Sequence, residues 1–140
     1  MSSAPPTRTT ANLLHLALLL GPLLLIGVAA WLRLGPGARP MAPIHGAEVL
    51  PLITYVVGAM SYGMALVFRG RIPALAPGDD ENQWWTRNMT RALVVWAMVE
   101  APMVLAGIVF LLLGNLPVLA VVAGAGLLIM LLTAPARLVG

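Results

Sequence analysis

The chain has 140 residues, of which 60% are hydrophobic and 9% are charged, and its formal net charge is +3. Soluble domains carry about 25% charged residues and about 45–50% apolar ones. These proportions exclude a water-soluble globular protein, a disordered chain and a nucleic-acid-binding module, whose basic stripe is missing here. The absence of cysteine excludes disulfides, thiol catalysis and cysteine-based metal centres.

The first apolar segment predicts a membrane span over about residues 11–33. Residues 9–32 carry no charge, and this length suffices to cross a hydrocarbon core of about 30 Å. A cleaved signal peptide is the alternative, with Val28-Ala29-Ala30 as an acceptable cleavage site. Because the apolar stretch exceeds the usual signal-peptide core of about 7–15 residues, an uncut span is the preferred interpretation.

A second uncharged segment predicts a span over about residues 48–68. Glycine and proline break the chain before it, over residues 34–47, and predict a loop there. Within the segment, Ala59 and Gly63 have the small-xxx-small spacing that lets two membrane helices approach closely. We therefore expect another helix to pack against this pair.

The second half of the chain predicts one polar loop and two further spans. Residues 69–89 hold six of the thirteen charged residues, and Trp84 and Trp85 near their end predict an interfacial aromatic belt. Beyond them a long apolar run is divided by the turn signal Gly114-Asn115-Leu116-Pro117 into spans at about 91–113 and 116–134. The predicted fold is therefore all-α, a polytopic bundle of four transmembrane helices in one transmembrane domain covering residues 1–140.

The arginines predict the orientation of this bundle. With four spans, six arginines share the side of the two termini and two lie on the opposite side. The positive-inside rule then predicts that both termini face the cytoplasm, an N-in/C-in topology. The first group contains Arg8, Arg69, Arg71, Arg87, Arg91 and Arg137, and the second contains Arg33 and Arg39.

Glu100 is the residue that most directly suggests chemistry, since it is the only charged residue inside a predicted span once Arg33, Glu48 and Arg91 are assigned to the span ends. A carboxylate at the centre of a membrane helix costs about 2.5–3.5 kcal/mol on insertion scales. One interpretation is an ion-binding carboxylate, and the other is a protonated acid that hydrogen-bonds a neighbouring helix. Pro102 on the same turn frees the carbonyl group of Met98, and we expect a neighbouring hydroxyl to satisfy both this carbonyl and Glu100.

Depth estimates predict a polar cluster around Glu100. From the ends of their predicted spans, Glu100 lies about 12 Å deep, Ser61 and Tyr62 lie about 9–11 Å deep, and His15 lies about 6 Å deep. All four fall in the cytoplasmic half of the bundle, and we therefore hypothesise that their side chains contact one another. Separate packing roles remain open for His15 and Tyr62.

The sequence predicts no catalytic residue, no cofactor and no metal site. His15 and His45 lie on opposite sides of the membrane in this topology, and no cysteine accompanies them. The acidic run 79–81 lacks the ligand spacing of a calcium loop, and no phosphate-binding or hydrolase motif occurs. We expect a non-enzymatic protein whose partners are the lipid bilayer and other membrane subunits or a second copy, with no nucleic acid.

The stretch from Asn88 to Ala101, which contains the pair Glu100-Ala101, resembles the acid-bearing helix of rotary-ATPase c-type proteolipids. That resemblance implies that Glu100 is the ion-binding carboxylate. The preceding segment departs from the family, because Gly58 and Gly63 are separated by bulky residues instead of forming the glycine repeat of a tight ring.

Over most of its length the chain resembles small, uncharacterised bacterial four-helix integral membrane proteins. The first helix matches in the stretch 14–21, and the third matches in Arg91-Ala92-Leu93 and Glu100-Ala101. This resemblance implies the four-helix fold and a multi-pass location in the bacterial inner (plasma) membrane. We expect an accessory or assembly subunit of a membrane complex, and the alternative is a proteolipid-like proton or cation carrier that uses Glu100.

Overall fold

The computed structural model describes residues 7–38 and 44–140, which are helical and contain no strand. The predicted all-α class is confirmed. Three helices are long and apolar enough to cross a membrane. In chain order, the helices are α1 (Arg8–Leu34), α2 (Leu50–Gly70), α3 (Glu81–Leu113), α4 (Leu116–Val118), α5 (Gly124–Leu132) and α6 (Pro135–Val139). A 3-10 turn over Ala47–Val49 precedes α2, and a π turn over Leu119–Ala123 joins α4 to α5.

Side chains at the helix ends explain where the long helices begin and end. The carboxylate of Asp80 accepts the backbone N–H of Asn82 at 2.7 Å and so caps the start of α3. Gly114 ends this helix with φ of +67°, a left-handed conformation that glycine adopts at little cost. The side chain of Asn115 then accepts the backbone N–H of Val118 and starts α4. The turn predicted between the last two spans lies at these residues.

Helix α3 forms the centre of the molecule, with buried side chains along its whole length. It runs parallel to α1, because Arg8 pairs with Glu81 at 3.7 Å at one end. At the other end the Arg33 guanidinium donates to the carbonyl oxygen of Leu111 at 2.6 Å and also to that of Leu112. A cation in this position compensates the unpaired carbonyls and the negative dipole at the end of α3.

The predicted polar loop is shorter than expected, because α3 begins at Glu81, ten residues before position 91. The interpretation of Trp84 and Trp85 as an exposed interfacial belt is wrong, since 4% and 0% of their surfaces are exposed. The indole N–H of Trp84 donates to the carbonyl of Pro73 at 2.9 Å, and the two rings meet edge to face. Burial of both indoles, with Trp84 hydrogen-bonded to the connection 71–80, stabilises this first part of the helix.

The small pair predicted on α2 does not face a neighbouring helix among the described residues. Ala59 and Gly63 are exposed, and a Cβ added at Gly63 would contact nothing within 4 Å. The close approach occurs at Gly58, where a Cβ would lie 3.3 Å from Cγ1 of Val122. The buried face of α2 follows Thr54, Gly58, Tyr62 and Ala65, a spacing of about one helical turn.

The last apolar segment is shorter than the three long helices. Residues 116–132 form a helical run interrupted by the π turn. At 1.5 Å per residue this run is about 25 Å long, slightly less than a hydrocarbon core of about 30 Å. It runs antiparallel to α3, since Trp96 hydrogen-bonds Thr133 while Met103 lies against Gly126. Its status as a fourth span stays a prediction.

Candidate functional site

Ser61 on α2 compensates the gap that proline makes in α3. Pro102 has no N–H, so the carbonyl oxygen of Met98, four residues earlier, loses its helical donor. The Ser61 hydroxyl donates to that oxygen at 2.6 Å. The hydroxyl partner expected for Met98 is therefore Ser61, and the hydrogen bond joins α2 to α3 at the level of Glu100.

Tyr62, the next residue, hydrogen-bonds the other irregular helix. Its phenol donates to the carbonyl oxygen of Val122 at 2.7 Å, inside the π turn. Only glycine fits opposite this contact, because a Cβ at Gly126 would lie 2.6 Å from the phenol oxygen and would overlap the Met103 side chain. Two consecutive side chains of α2 thus satisfy backbone acceptors on two different helices.

His15 lies in a third polar contact, between α1, α3 and α5. Its Nε2 is 3.1 Å from the carbonyl oxygen of Met130, so this nitrogen carries the proton. Its ring meets the Trp96 ring edge to face, with centroids 5.0 Å apart. The Trp96 indole in turn donates to the carbonyl of Thr133 at 2.9 Å. These hydrogen bonds give His15 a packing role in holding three helices together.

Glu100 faces α1, away from these three contacts. A Cβ added at Gly21 would lie 3.2 Å from its Oε1, and the residue is partly exposed. Within 7–38 and 44–140, no hydrogen bond or ion pair joins its carboxyl group to Ser61, Tyr62 or His15. The three residues proposed as a polar cluster each bind a backbone carbonyl separately, and the ion-binding role of Glu100 stays a prediction.

Several small residues near Glu100 in α3, or near Gly21 in α1, are exposed. Ala17 and Gly21 on α1, and Ala97 and Ala101 on α3, are all exposed. We call this surface, with Glu100 at its centre, the Glu100 strip. Pro22, next to Gly21, has no backbone N–H. One carbonyl oxygen in the preceding turn of α1 therefore lacks its helical donor. The strip therefore combines a carboxyl group with room for another helix or a lipid.

Sequence reasoning missed several residues that shape this region. Trp96, Met103 and Gly126 carry no motif, and their importance depends on contacts between distant segments. Thr133 offered a signal, because a hydroxyl inside an otherwise apolar run needs a partner. Its hydroxyl donates to the carbonyl of Ile129 at 2.9 Å within its own helix.

Comparisons with protein-family models, curated proteins and solved structures give no match to this chain. Among the described residues, no three histidine, aspartate or glutamate side chains are grouped as a metal site would require. Function is therefore inferred from the placement and chemistry of these residues alone.

Proposed function

We propose that this chain is a non-enzymatic integral membrane protein of four transmembrane helices, a subunit that assists the assembly of a membrane complex in the bacterial inner membrane. The outward surfaces of α1 and α2 support insertion. Leu13, Leu24, Leu52 and Met60 are each exposed by 64–67%. Large apolar side chains at this density would be unfavourable in water and are solvated by lipid tails.

The segment 116–132 is the fourth span in this proposal. It packs antiparallel on α3, with Trp96 near one end and Met103 near its middle. Although about 25 Å is short, local thinning of the bilayer accommodates such a length at modest cost. The arginine distribution then supports N-in/C-in insertion.

The observation that carries the subunit proposal is the position of Glu100. A carboxyl group within hydrocarbon requires a partner, and the described residues provide none by hydrogen bond or ion pair. The small residues of the Glu100 strip allow a second helix to approach closely, as small side chains do at membrane helix interfaces. A helix of another subunit, carrying a polar or basic side chain at that depth, completes the site.

Cross-linking tests this proposal cleanly because the chain has no cysteine. A single cysteine is introduced by Ala101→Cys in the Glu100 strip, and the matched control is Met60→Cys on the lipid-facing surface of α2. A thiol-reactive photo-cross-linker is attached to each cysteine, and irradiation in native membranes, which joins the probe to C–H bonds of the neighbouring chain, is expected to give one discrete adduct from Ala101→Cys and none from Met60→Cys. Adding Glu100→Leu should abolish the adduct, while Glu100→Gln should keep it because an amide still hydrogen-bonds. Equal adducts from both cysteines would contradict the proposal.

The second candidate is a proton or cation carrier, and the same lateral position of Glu100 favours it. A carrier carboxylate must be reached from water or from a partner subunit, which a residue enclosed in the bundle would not allow. Carbodiimide labelling of Glu100 that depends on pH, together with loss of ion flux in Glu100→Gln liposomes, would support this candidate. Retained flux, or labelling independent of pH, would exclude it. The subunit proposal predicts no flux in either protein.

A further inference from the structure

A second feature lies at the cytoplasmic end of the proposed bundle. A cavity of about 280 Å³ opens between the end of α2 and the C-terminal helix α6. Two arginines from different helices contribute to it, Arg69 and Arg137, and apolar walls come from Ile72 and Leu138. The hydrogen bond from the N–H of Leu75 to the carbonyl of Val139, at 3.2 Å, connects its two sides.

One nitrogen of the partly buried Arg69 side chain lacks a hydrogen-bond partner. Its Nε is buried and has no hydrogen-bond partner among the described residues. A donor left in this state costs free energy, and more so on a charged group. The guanidinium also offers a planar fork of N–H donors that matches the oxygens of a phosphate.

The nearby acidic residues are engaged elsewhere. Asp80 caps α3, and Glu81 binds Arg8 and the Trp85 indole. Asp79 lines a separate cavity together with Arg87 and Arg91. No acidic side chain of the described part of the chain lines the cavity of Arg69 and Arg137. The backbone of Gly140 also lines it, but the only ion pair among the described residues joins Arg8 to Glu81.

We propose that this cavity binds the phosphate of an anionic phospholipid headgroup, held by Arg69 and Arg137. The inference rests on the proposed membrane insertion, which places the end of α2 at the level of the headgroups. Basic pockets between helices on the cytoplasmic side suit such lipids. The volume is several times the roughly 30 Å³ of one water molecule, which leaves room for a phosphate and part of its glycerol.

The neighbouring surface favours a lipid over free phosphate as the source of this group. Arg71 lies over the Phe68 ring, 5.6 Å from its centroid, and Arg91 lies beside both residues in an adjoining cavity. Cationic side chains next to an apolar ring at the end of a span are typical of contact with an anionic leaflet. Ile72 and Leu138 then offer apolar contact to the glycerol and the first acyl carbons.

The test measures lipid binding by the full chain in detergent, with native mass spectrometry. Phosphatidylglycerol and phosphatidylcholine are compared for the unmodified protein, for Arg69→Gln, for Arg137→Gln and for the control Arg87→Gln, which removes one charge at the same end. We expect phosphatidylglycerol to bind about tenfold more weakly to the first two variants. The control should retain its affinity. Phosphatidylcholine, whose choline cation opposes binding beside two arginines, should bind weakly to all four proteins.

Two results would overturn the inference. Equal weakening in all three variants would indicate only a general surface charge, and unchanged binding in Arg69→Gln and Arg137→Gln would remove the site. In a separate arm, inorganic phosphate that displaces phosphatidylglycerol would assign the site to a soluble phosphate. Extraction of membranes with carbonate tests insertion independently. Protein that stays in the membrane pellet yet shows no lipid preference would refute this inference and leave the proposed function standing.

Discussion

At the level of Glu100, a polar group on one side of α3 is hydrogen-bonded within the chain, and a polar group on the other side is not. On the side of α2, the carbonyl freed by Pro102 receives the Ser61 hydroxyl at 2.6 Å. On the side of α1, the carboxyl group of Glu100 lies close to Gly21 and has no hydrogen bond or ion pair among the described residues. In lipid, unsatisfied polar groups are costly. The first side is complete within the chain, and in the proposed function another subunit completes the second side.

The largest expected effect comes from a substitution that disturbs the contacts of Tyr62, which belongs to the side of α3 that faces α2. Gly126→Ala places a Cβ against Met103 and 2.6 Å from the phenol oxygen of Tyr62. Overpacking of this kind costs about 1–3 kcal/mol of unfolding free energy. The measurement is reversible unfolding in mixed micelles. Gly124→Ala is the control, because a Cβ there meets nothing within 4 Å, and it should be neutral or stabilising by up to about 1 kcal/mol. Similar destabilisation of both variants would contradict the packing at Gly126.

A smaller effect is expected when the hydroxyl at the proline gap is removed. Ser61→Ala leaves the Met98 carbonyl without a donor and should cost about 0.6 kcal/mol, with about 1.7 kcal/mol as the upper range for such bonds in membranes. The proline supplies an internal check. In a Pro102→Ala background the helix regains its own N–H donor, so Ser61→Ala should then cost close to nothing. A double-mutant cycle of unfolding free energies measures this coupling, and a cost independent of residue 102 would refute it.

The smallest effect on stability is expected on the open side. Glu100→Gln keeps shape and hydrogen-bonding capacity and breaks no bond of the described residues, so its unfolding free energy should change by less than about 0.5 kcal/mol. A loss as large as that of Ser61→Ala would show that Glu100 is part of the bundle's own packing. The comparison between the two sides of α3 would then fail.

Gly21→Ala sharpens the same comparison through binding instead of stability. Its Cβ would lie 3.2 Å from Oε1 of Glu100 and would force the carboxyl group to shift. We expect weaker cross-linking from the Ala101→Cys protein with little change in unfolding free energy. Gly27→Ala on the same helix is the control, since its Cβ meets nothing within 4 Å, and it should leave the adduct unchanged.

The sequence predicts where each helix lies along the chain, but it does not predict which face of the helix is buried. Uncharged runs predict segments that must be helical in lipid, and the three long helices cover the first three of them. The partner of the Met98 carbonyl was also predictable in kind, because a proline inside a helix leaves a known acceptor. The direction of Glu100 was not, since residues on every face of a membrane helix are apolar and no period marks the buried side. For the same reason the sequence does not indicate whether Gly58 or Gly63 approaches another helix closely.

The π turn over Leu119–Ala123 changes how the residues after it are rotated about the helix axis. A π turn is equivalent to one residue inserted into an α-helix, and one residue corresponds to a rotation of about 100°. Everything after it is therefore turned relative to α4. Deleting one residue within the turn would straighten the segment and rotate Gly126 away from Met103, and Met130 away from His15. The alignment of α5 on its neighbours is thus set by a single extra residue in the turn before it.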